Sequence, residues 1–205
     1  MSPQDKAVRR EIERIGRAML ALGYQNTHSG NISARVGDEV YITKTGSMKG
    51  HLGDRDICLP GLDEPRYGLF QASSETGEHR RVLHYAKAMV HAHPPETTLL
   101  SFTTDSIVPA DPWGRRYLGR VPVLTFEYPV GSPEMEETIP EVLKGVPALV
   151  VATHGPFIRG ESLEEAFFLL CLLEASSSIL LHAKSINITL PDGIPLPNLS
   201  PFSPP

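Results

Sequence analysis

Residues 89–95 read Met-Val-His-Ala-His-Pro-Pro, a short apolar run that ends in two histidines one residue apart. Alternate residues of a strand point to the same face, so His91 and His93 can offer both imidazoles to one ion. Neutral imidazole is the commonest zinc ligand, and a catalytic zinc site takes three protein ligands and keeps a position open. A third candidate is His154, in Val-Val-Ala-Thr-His-Gly at 150–155, where an apolar strand ends and a glycine lets the backbone turn. Taken singly, the H-x-H pair also reads as two partly exposed polar residues. His154 alone reads as a strand-end side chain bonded to a carbonyl. Of the other histidines, His28 reads as an exposed loop residue. His51, His79, His84 and His182 read as solvated or packed.

Working outward, the pattern is that of a single α/β domain. Val8, Ile12, Ile15, Met19 and Leu22 recur at steps of four and three, which predicts an amphipathic helix from residue 4 to about 22, closed by Gly23. Residues 31–36 and 40–43 read as a hairpin turning through Gly37-Asp38. The stretch 50–68 looks loop-like, with a short strand near 57–59. A helix is expected from Ser74 to about Lys87, capped by Ser74 and with Glu75 and Glu78 at its positive end. Residues 121–126 and 148–153 read as strands. A helix over 134–143 should be shortened or kinked by Pro140. The clearest helix runs from Ser162 to about Ala183, with Glu165 completing a capping box. The domain is drawn over 1–190. Residues 191–205 hold six prolines and read as a tail that packs irregularly or stays mobile.

Composition narrows the functional classes. With 19 basic and 24 acidic side chains the formal net charge is -5, and no basic face points to DNA or RNA. Cys58 and Cys171 lie far apart and form no metal-type spacing, which suits buried thiols in a reducing compartment. The polar start Met-Ser-Pro-Gln-Asp-Lys lacks the apolar core of a signal peptide, and the unbroken apolar run 166–173 is too short to span a bilayer. The expectation is a soluble cytoplasmic protein without a membrane partner.

Three small polar clusters stand out: Ser29-Gly30-Asn31 and Thr45-Gly46-Ser47, which join glycine to hydroxyls or amides, and the hydroxyl pair Ser73-Ser74. Glycine turns and helix starts expose backbone N–H groups that bind phosphate, provided the clusters converge in space. Each alone is equally a turn or a cap. Glu75 follows the serine pair. Near a metal-bound carbonyl compound a carboxylate can act as general base, and otherwise Glu75 is a first-turn glutamate facing solvent.

Together these residues resemble the class II aldolase/adducin family, most of all its L-fuculose-1-phosphate aldolase type. The motifs occur in order from about residue 8 to 183: Ser29-Gly30-Asn31-Ile32-Ser33, Ile42-Thr43-Lys44-Thr45-Gly46, Ser73-Ser74-Glu75, His91-Ala92-His93-Pro94, Tyr128-Pro129-Val130-Gly131-Ser132 and His154-Gly155, followed by Gly160-Glu161-Ser162-Leu163-Glu164-Glu165-Ala166. The resemblance implies a three-layer α/β/α fold around a mostly antiparallel central sheet. It implies a homotetramer with active sites at subunit interfaces. It assigns zinc to His91, His93 and His154, the acid/base role to Glu75, and the substrate phosphate to Asn31, Thr45, Gly46, Ser73 and Ser74. The implied reaction is reversible cleavage of a ketose 1-phosphate to dihydroxyacetone phosphate and an aldehyde. The ion would polarise the carbonyl and Glu75 would move the proton on the adjacent carbon.

Three departures bear on the substrate. The interval from Glu75 to His91 is shorter than in the fuculose aldolase pattern. Where that pattern has a tyrosine serving the neighbouring subunit's site, this chain reads Ala110-Asp111-Pro112-Trp113-Gly114, and Tyr117 is the nearest tyrosine. The Pro-rich C-terminus does not match the segment that closes the site in fuculose aldolases. Epimerases, dehydratases and decarboxylases share the family's metal ligands. The His93-to-His154 interval and Glu75 fit the aldolase type better than the epimerase type, and a decarboxylase is not expected to need phosphate clusters. A non-enzymatic adducin-like module would lack the histidines. A Schiff-base aldolase would have to use Lys44, which otherwise reads as a polar strand end.

Overall fold

The computed structural model describes residues 1–63 and 71–190. The Pro-rich stretch 191–205 and part of the 50–68 loop lie outside the described residues. The chain runs α1 (Pro3–Ala21), β1 (Asn31–Val36), β2 (Glu39–Thr43), β3 (Ile57–Cys58), α2 (Thr76–Val82), β4 (Ala88–His91), α3 (Pro95–Leu100), β5 (Ser106–Ile107), α4 (Pro112–Tyr117), β6 (Val121–Leu124), α5 (Pro133–Leu143), β7 (Ala148–Val151), β8 (Gly155–Gly160) and α6 (Leu163–Ser185). Short 3-10 turns lie at Lys49–His51 and Asp54–Asp56.

One eight-stranded sheet has the order β3-β2-β1-β4-β8-β7-β6-β5. The mostly antiparallel sheet that the resemblance implies is corrected here to a mixed one, because β6 runs parallel to β7. A parallel pair cannot be closed by a hairpin, and α5 supplies the crossover. The remaining neighbours pair antiparallel.

The period of two along the strands builds three layers. Ala88 and Val90 of β4, Ala148 and Val150 of β7 and Ile158 of β8 join one core with α1 and α6. The intervening residues Met89, Leu149, Val151 and Phe157 join a second core with α2 and α5. Strands with apolar residues on both faces read as continuous hydrophobic runs, and helices must cover both sides.

Helix α1 starts one residue earlier than its periodicity predicts, behind a Ser2–Asp5 capping box with Pro3 at its first position. Its stripe Val8, Ile12, Ile15 and Met19 is buried, each worth about 1.5–3 kcal/mol. Leu22, the last member of the periodic set, is instead the exposed C-cap. Helix α6 starts behind Ser162, whose hydroxyl accepts from Glu165 N. It is long and apolar enough to cross a membrane. Here Leu163, Ala166, Leu170 and Leu173 face the sheet, and the Glu174 carboxylate accepts from the Glu96 and Thr97 N–H groups at the start of α3. It is the core helix of the fold.

Two helices differ from expectation. Helix α2 spans only Thr76–Val82, and its N-cap is Glu75 rather than Ser74. Leu83 caps it and the chain turns at once into β4. Helix α5 runs to Leu143 with Pro140 inside it. The Pro140 carbonyl accepts from the Tyr85 hydroxyl at 2.5 Å, tying α5 to the turn after α2.

Candidate metal centre

The central strands bring the three histidines together. His91 ends β4 and is registered against Asn31 of β1 on one side and Phe157 of β8 on the other. His93 lies just beyond the strand, where its N–H donates to Tyr24 O. The alternation that the sequence predicts therefore holds across the strand end, with Ala92 between them buried in the opposite core. His154 sits in the turn between β7 and β8, next to Thr153, whose backbone is left-handed at φ 66. Thr153 N is held by Ser101 Oγ at 2.9 Å. At Gly155 a Cβ would overlap the Ala92 carbonyl oxygen, so only glycine lets the His154 turn close onto the chain that carries His91 and His93.

The imidazoles converge through their Nε2 atoms. His91 Nε2 stands 2.9 Å from His93 Nε2 and 3.2 Å from His154 Nε2, and all the available ligand atoms lie within 4.8 Å of one another. The His91 ring is stacked on Phe157 at 4.1 Å, and its Nδ1 is 2.9 Å from the Pro156 carbonyl. That carbonyl can only accept, so Nδ1 carries the proton and Nε2 presents its lone pair. Burial, with the neighbouring histidines adding to it, pushes His91 well below the usual imidazole range. Burial and then His154 push His93 down to about 4, and burial lowers His154 against the opposing effect of the Pro129 carbonyl. At neutral pH three uncharged rings thus converge on one point, with the His91 Nε2 lone pair aimed at it. Three neutral imidazoles are a donor set that suits a divalent transition metal.

Glu75 closes the other side. Its carboxylate is 2% exposed, 3.5 Å from His91 Nε2 through Oε2 and 3.8 Å from His154 Nε2 through Oε1. Burial raises it to about 7, against a hydrogen bond from Asn31. Asn31 Nδ2 donates to Glu75 Oε2 at 2.5 Å and to Ser73 Oγ at 2.9 Å.

The nine residues singled out in the sequence all line one cavity of about 180 Å³. Thr45 and Gly46 form a turn in which Ser47 N donates to Lys44 O, and Thr45 Oγ1 donates to Ala72 O. Ser73 and Ser74 lie just before α2. Ser29 and Gly30, from the first glycine cluster, line the cavity too. So do four residues to which the sequence assigns no binding role: His28, Lys44, Lys49 and Val130. Lys44 is at the end of β2, bridged to Ala72. Lys49 carries no motif, and nothing in a single sequence marks a lysine as buried. Tyr117, the nearest tyrosine in sequence to the expected position, packs against Trp113 and edge-on to Phe168 and does not line the cavity.

A sequence model described as the class II aldolase and adducin N-terminal domain matches residues 10–181. The chain is 28% identical over 171 residues to a 3-oxo-tetronate 4-phosphate decarboxylase of Pectobacterium atrosepticum, covering 79% of this chain and 78% of that protein. It is 25% identical over 178 residues to an L-fuculose phosphate aldolase of Methanocaldococcus jannaschii, covering 84% and 95%. The crystal structure of an L-fuculose-1-phosphate aldolase from Thermus thermophilus matches with a TM-score of 0.83 at 32% identity, over 87% of this chain and 95% of that one.

Proposed function

The chain belongs to the class II aldolase and adducin family, and from that premise we propose that it is a metal-dependent carbon–carbon lyase acting on a small phosphorylated keto compound. The observation that carries this reading is the placement of Glu75. A buried carboxylate with its proton affinity near neutrality stands within 4 Å of two converging imidazole nitrogens. In the proposal His91, His93 and His154 hold one divalent ion, zinc by preference for three imidazoles. When bound, the ion supplies Lewis-acid polarisation of a substrate carbonyl.

The protein's own groups do the rest. Glu75 gives a proton to, or takes one from, the carbon beside that carbonyl. Asn31 fixes the carboxylate orientation. Thr45, Gly46, Ser73, Ser74 and Asn31 take the phosphate. Asn31 would serve the phosphate only by releasing Ser73, since both its amide hydrogens are engaged. In the first reading a ketose 1-phosphate loses the bond between the carbinol carbon and the carbon next to the carbonyl. The carbinol oxygen gives up its proton to water, and the carbinol carbon leaves with that oxygen as an aldehyde. The electron pair stays on the carbon next to the carbonyl, Glu75 protonates that carbon, and dihydroxyacetone phosphate is released. We also propose a cytoplasmic homotetramer in which a neighbouring subunit completes the cavity.

A second reading has a specific observation behind it. A 3-oxo acid phosphate would lose carbon dioxide, leave its electron pair on the same carbon and take the proton from Glu75. That reaction needs no acid or base for an aldehyde oxygen, and this chain has Ala110-Asp111-Pro112-Trp113-Gly114 where the fuculose aldolase pattern has its tyrosine. The phosphate clusters do not count against it, contrary to the sequence-based expectation, because relatives of this chain are named for a phosphorylated decarboxylase substrate.

The test is a paired assay on metal-loaded protein with and without a chelator. Dihydroxyacetone phosphate is followed from fuculose, rhamnulose, ribulose and 5-deoxyribulose 1-phosphates, and carbon dioxide from 3-oxo-tetronate 4-phosphate. Chelator-sensitive aldol cleavage supports the first reading, and chelator-sensitive decarboxylation alone replaces it with the second. Neither product with metal bound removes the lyase assignment.

A further inference from the structure

Lys49 is 1% exposed and is the one buried lysine or arginine among the described residues. Burying an ammonium ion is costly unless it is paired or serves a charge that arrives later. Its Nζ donates to Ser47 O at 2.9 Å, to Ser47 Oγ at 3.3 Å and to His28 O at 3.3 Å. These acceptors are neutral. No described carboxylate forms an ion pair with Lys49, and Asp56 acts on it only through space.

The lysine cannot easily move away. Lys49 N donates to Thr27 O at 2.8 Å. Lys49 O lies 2.6 Å from where a Cβ would stand on Gly16 of α1, so helix and loop meet there backbone to backbone. Both segments that Nζ grips, the His28 loop and the Lys44–Ser47 turn, line the metal-site cavity, and so does Lys49 itself.

The five residues that the family pattern assigns to phosphate are all neutral, whereas a phosphate monoester near pH 7 carries close to two negative charges. We infer that the Lys49 ammonium is the charge complement of the substrate's phosphate, set behind the Thr45-Gly46 turn and held there by Ser47 and His28. The inference rests on the phosphorylated-substrate reading and adds a residue outside the family pattern. Burial lowers Lys49 to about 8, which leaves it mostly charged at neutral pH, and an adjacent anion holds the proton more firmly. Lys49 is a binding residue in this scheme and touches no reacting atom.

Inorganic phosphate is the probe. Its affinity is measured by calorimetry on metal-loaded wild-type protein, Lys49→Met and Lys49→Gln. Both variants should lose about tenfold or more in phosphate affinity while keeping their metal content. Lys49→Gln keeps a donor for the Ser47 and His28 carbonyls but has no charge, so wild-type phosphate affinity in that variant overturns the inference and leaves the lyase reading standing. A second measurement needs no variant: carbamylation of wild-type Lys49 by cyanate, mapped by mass spectrometry, should slow when phosphate is added. An unchanged rate also overturns it. Wild-type protein that binds no phosphate at all removes both this inference and the phosphorylated-substrate reading.

Discussion

Asn31 Nδ2 donates to Glu75 Oε2, and Glu75 in turn stands 3.5 Å from His91 Nε2. Asn31 is also the residue paired with His91 across β1 and β4. One sheet register therefore sets the distance between the metal ligand and the carboxylate. Glu75→Gln preserves shape and can still accept from Asn31 but cannot exchange a proton. The expected result is a fall in kcat of about 10²–10⁴-fold with one metal per chain retained. Near-normal turnover in this variant would remove Glu75 as the acid/base.

Two of the three imidazoles are a poor site for a divalent transition metal. Outer-shell substitutions around metal ligands typically cost ~10–100-fold in affinity, so removing a ligand should cost more. His93→Ala, the change at the less buried member of the H-x-H pair, should leave the protein folded and strip most of its metal on dialysis. Metal content by emission spectroscopy checks this. Metal addition should raise the melting temperature of wild-type protein and not that of His93→Ala. Equal metal content in both would mean the ion sits elsewhere.

Glu78 follows one turn behind Glu75 on α2. It is 1% exposed, its Oε1 has no hydrogen-bond partner, and burial raises it to about 7 from an unfolded value near 4.5. The native state therefore binds more protons than the unfolded chain between those limits. Stability should rise as pH falls through 7 toward 4.5 and be lost as pH rises through 7. Full ionisation at pH 8 costs the native state roughly 3 kcal/mol. Glu78→Gln should raise the melting temperature of metal-free protein at pH 8 and do little at pH 5. A uniform shift at both pH values would assign the effect to packing.

The legible parts of this molecule are those written in strong periods. The α1 stripe, the β1–β2 hairpin and α6 lie within one or two residues of their sequence-based bounds. His91 and His93 are legible as a pair because strand alternation forces them to one face. His154 needs the order of family motifs, since a lone strand-end histidine has a simpler explanation. Strand β8 escapes a sequence reading because it opens with Gly155-Pro156, which reads as a turn, yet Gly155 is there for a close approach of chains. Helices α3 and α4 have six residues each, too few to show a period. Helix α2 is shorter than its sequence suggests because the turn at Leu83 is imposed by the return to β4 rather than by a breaker. Lys49 is out of reach for a related reason: its burial follows from α1 packing on the 49–51 turn, a long-range contact with no local signature.

The same close approach supplies the sharpest structural test of the metal centre. Gly155 begins β8 directly after His154, with φ 155, and a Cβ there would overlap the carbonyl oxygen of Ala92, the residue between the other two ligands. That neighbour is backbone held in the middle of the sheet end, so no side chain can rotate away to make room. Gly155→Ala must displace either the His154 turn or the His91–His93 segment. Forced overpacking of this kind costs about 1–3 kcal/mol or more. Gly119 is a suitable control, because it too has a positive φ but nothing within 4 Å of an added Cβ. Gly119→Ala should lower the melting temperature modestly and keep the metal. Gly155→Ala should lower both the melting temperature and the metal affinity, since any relaxation that relieves the clash moves a ligand. A destabilised Gly155→Ala protein that still binds metal with wild-type affinity would mean that the triad reassembles independently of the β7–β8 turn, and the backbone contact would then be a feature of packing alone.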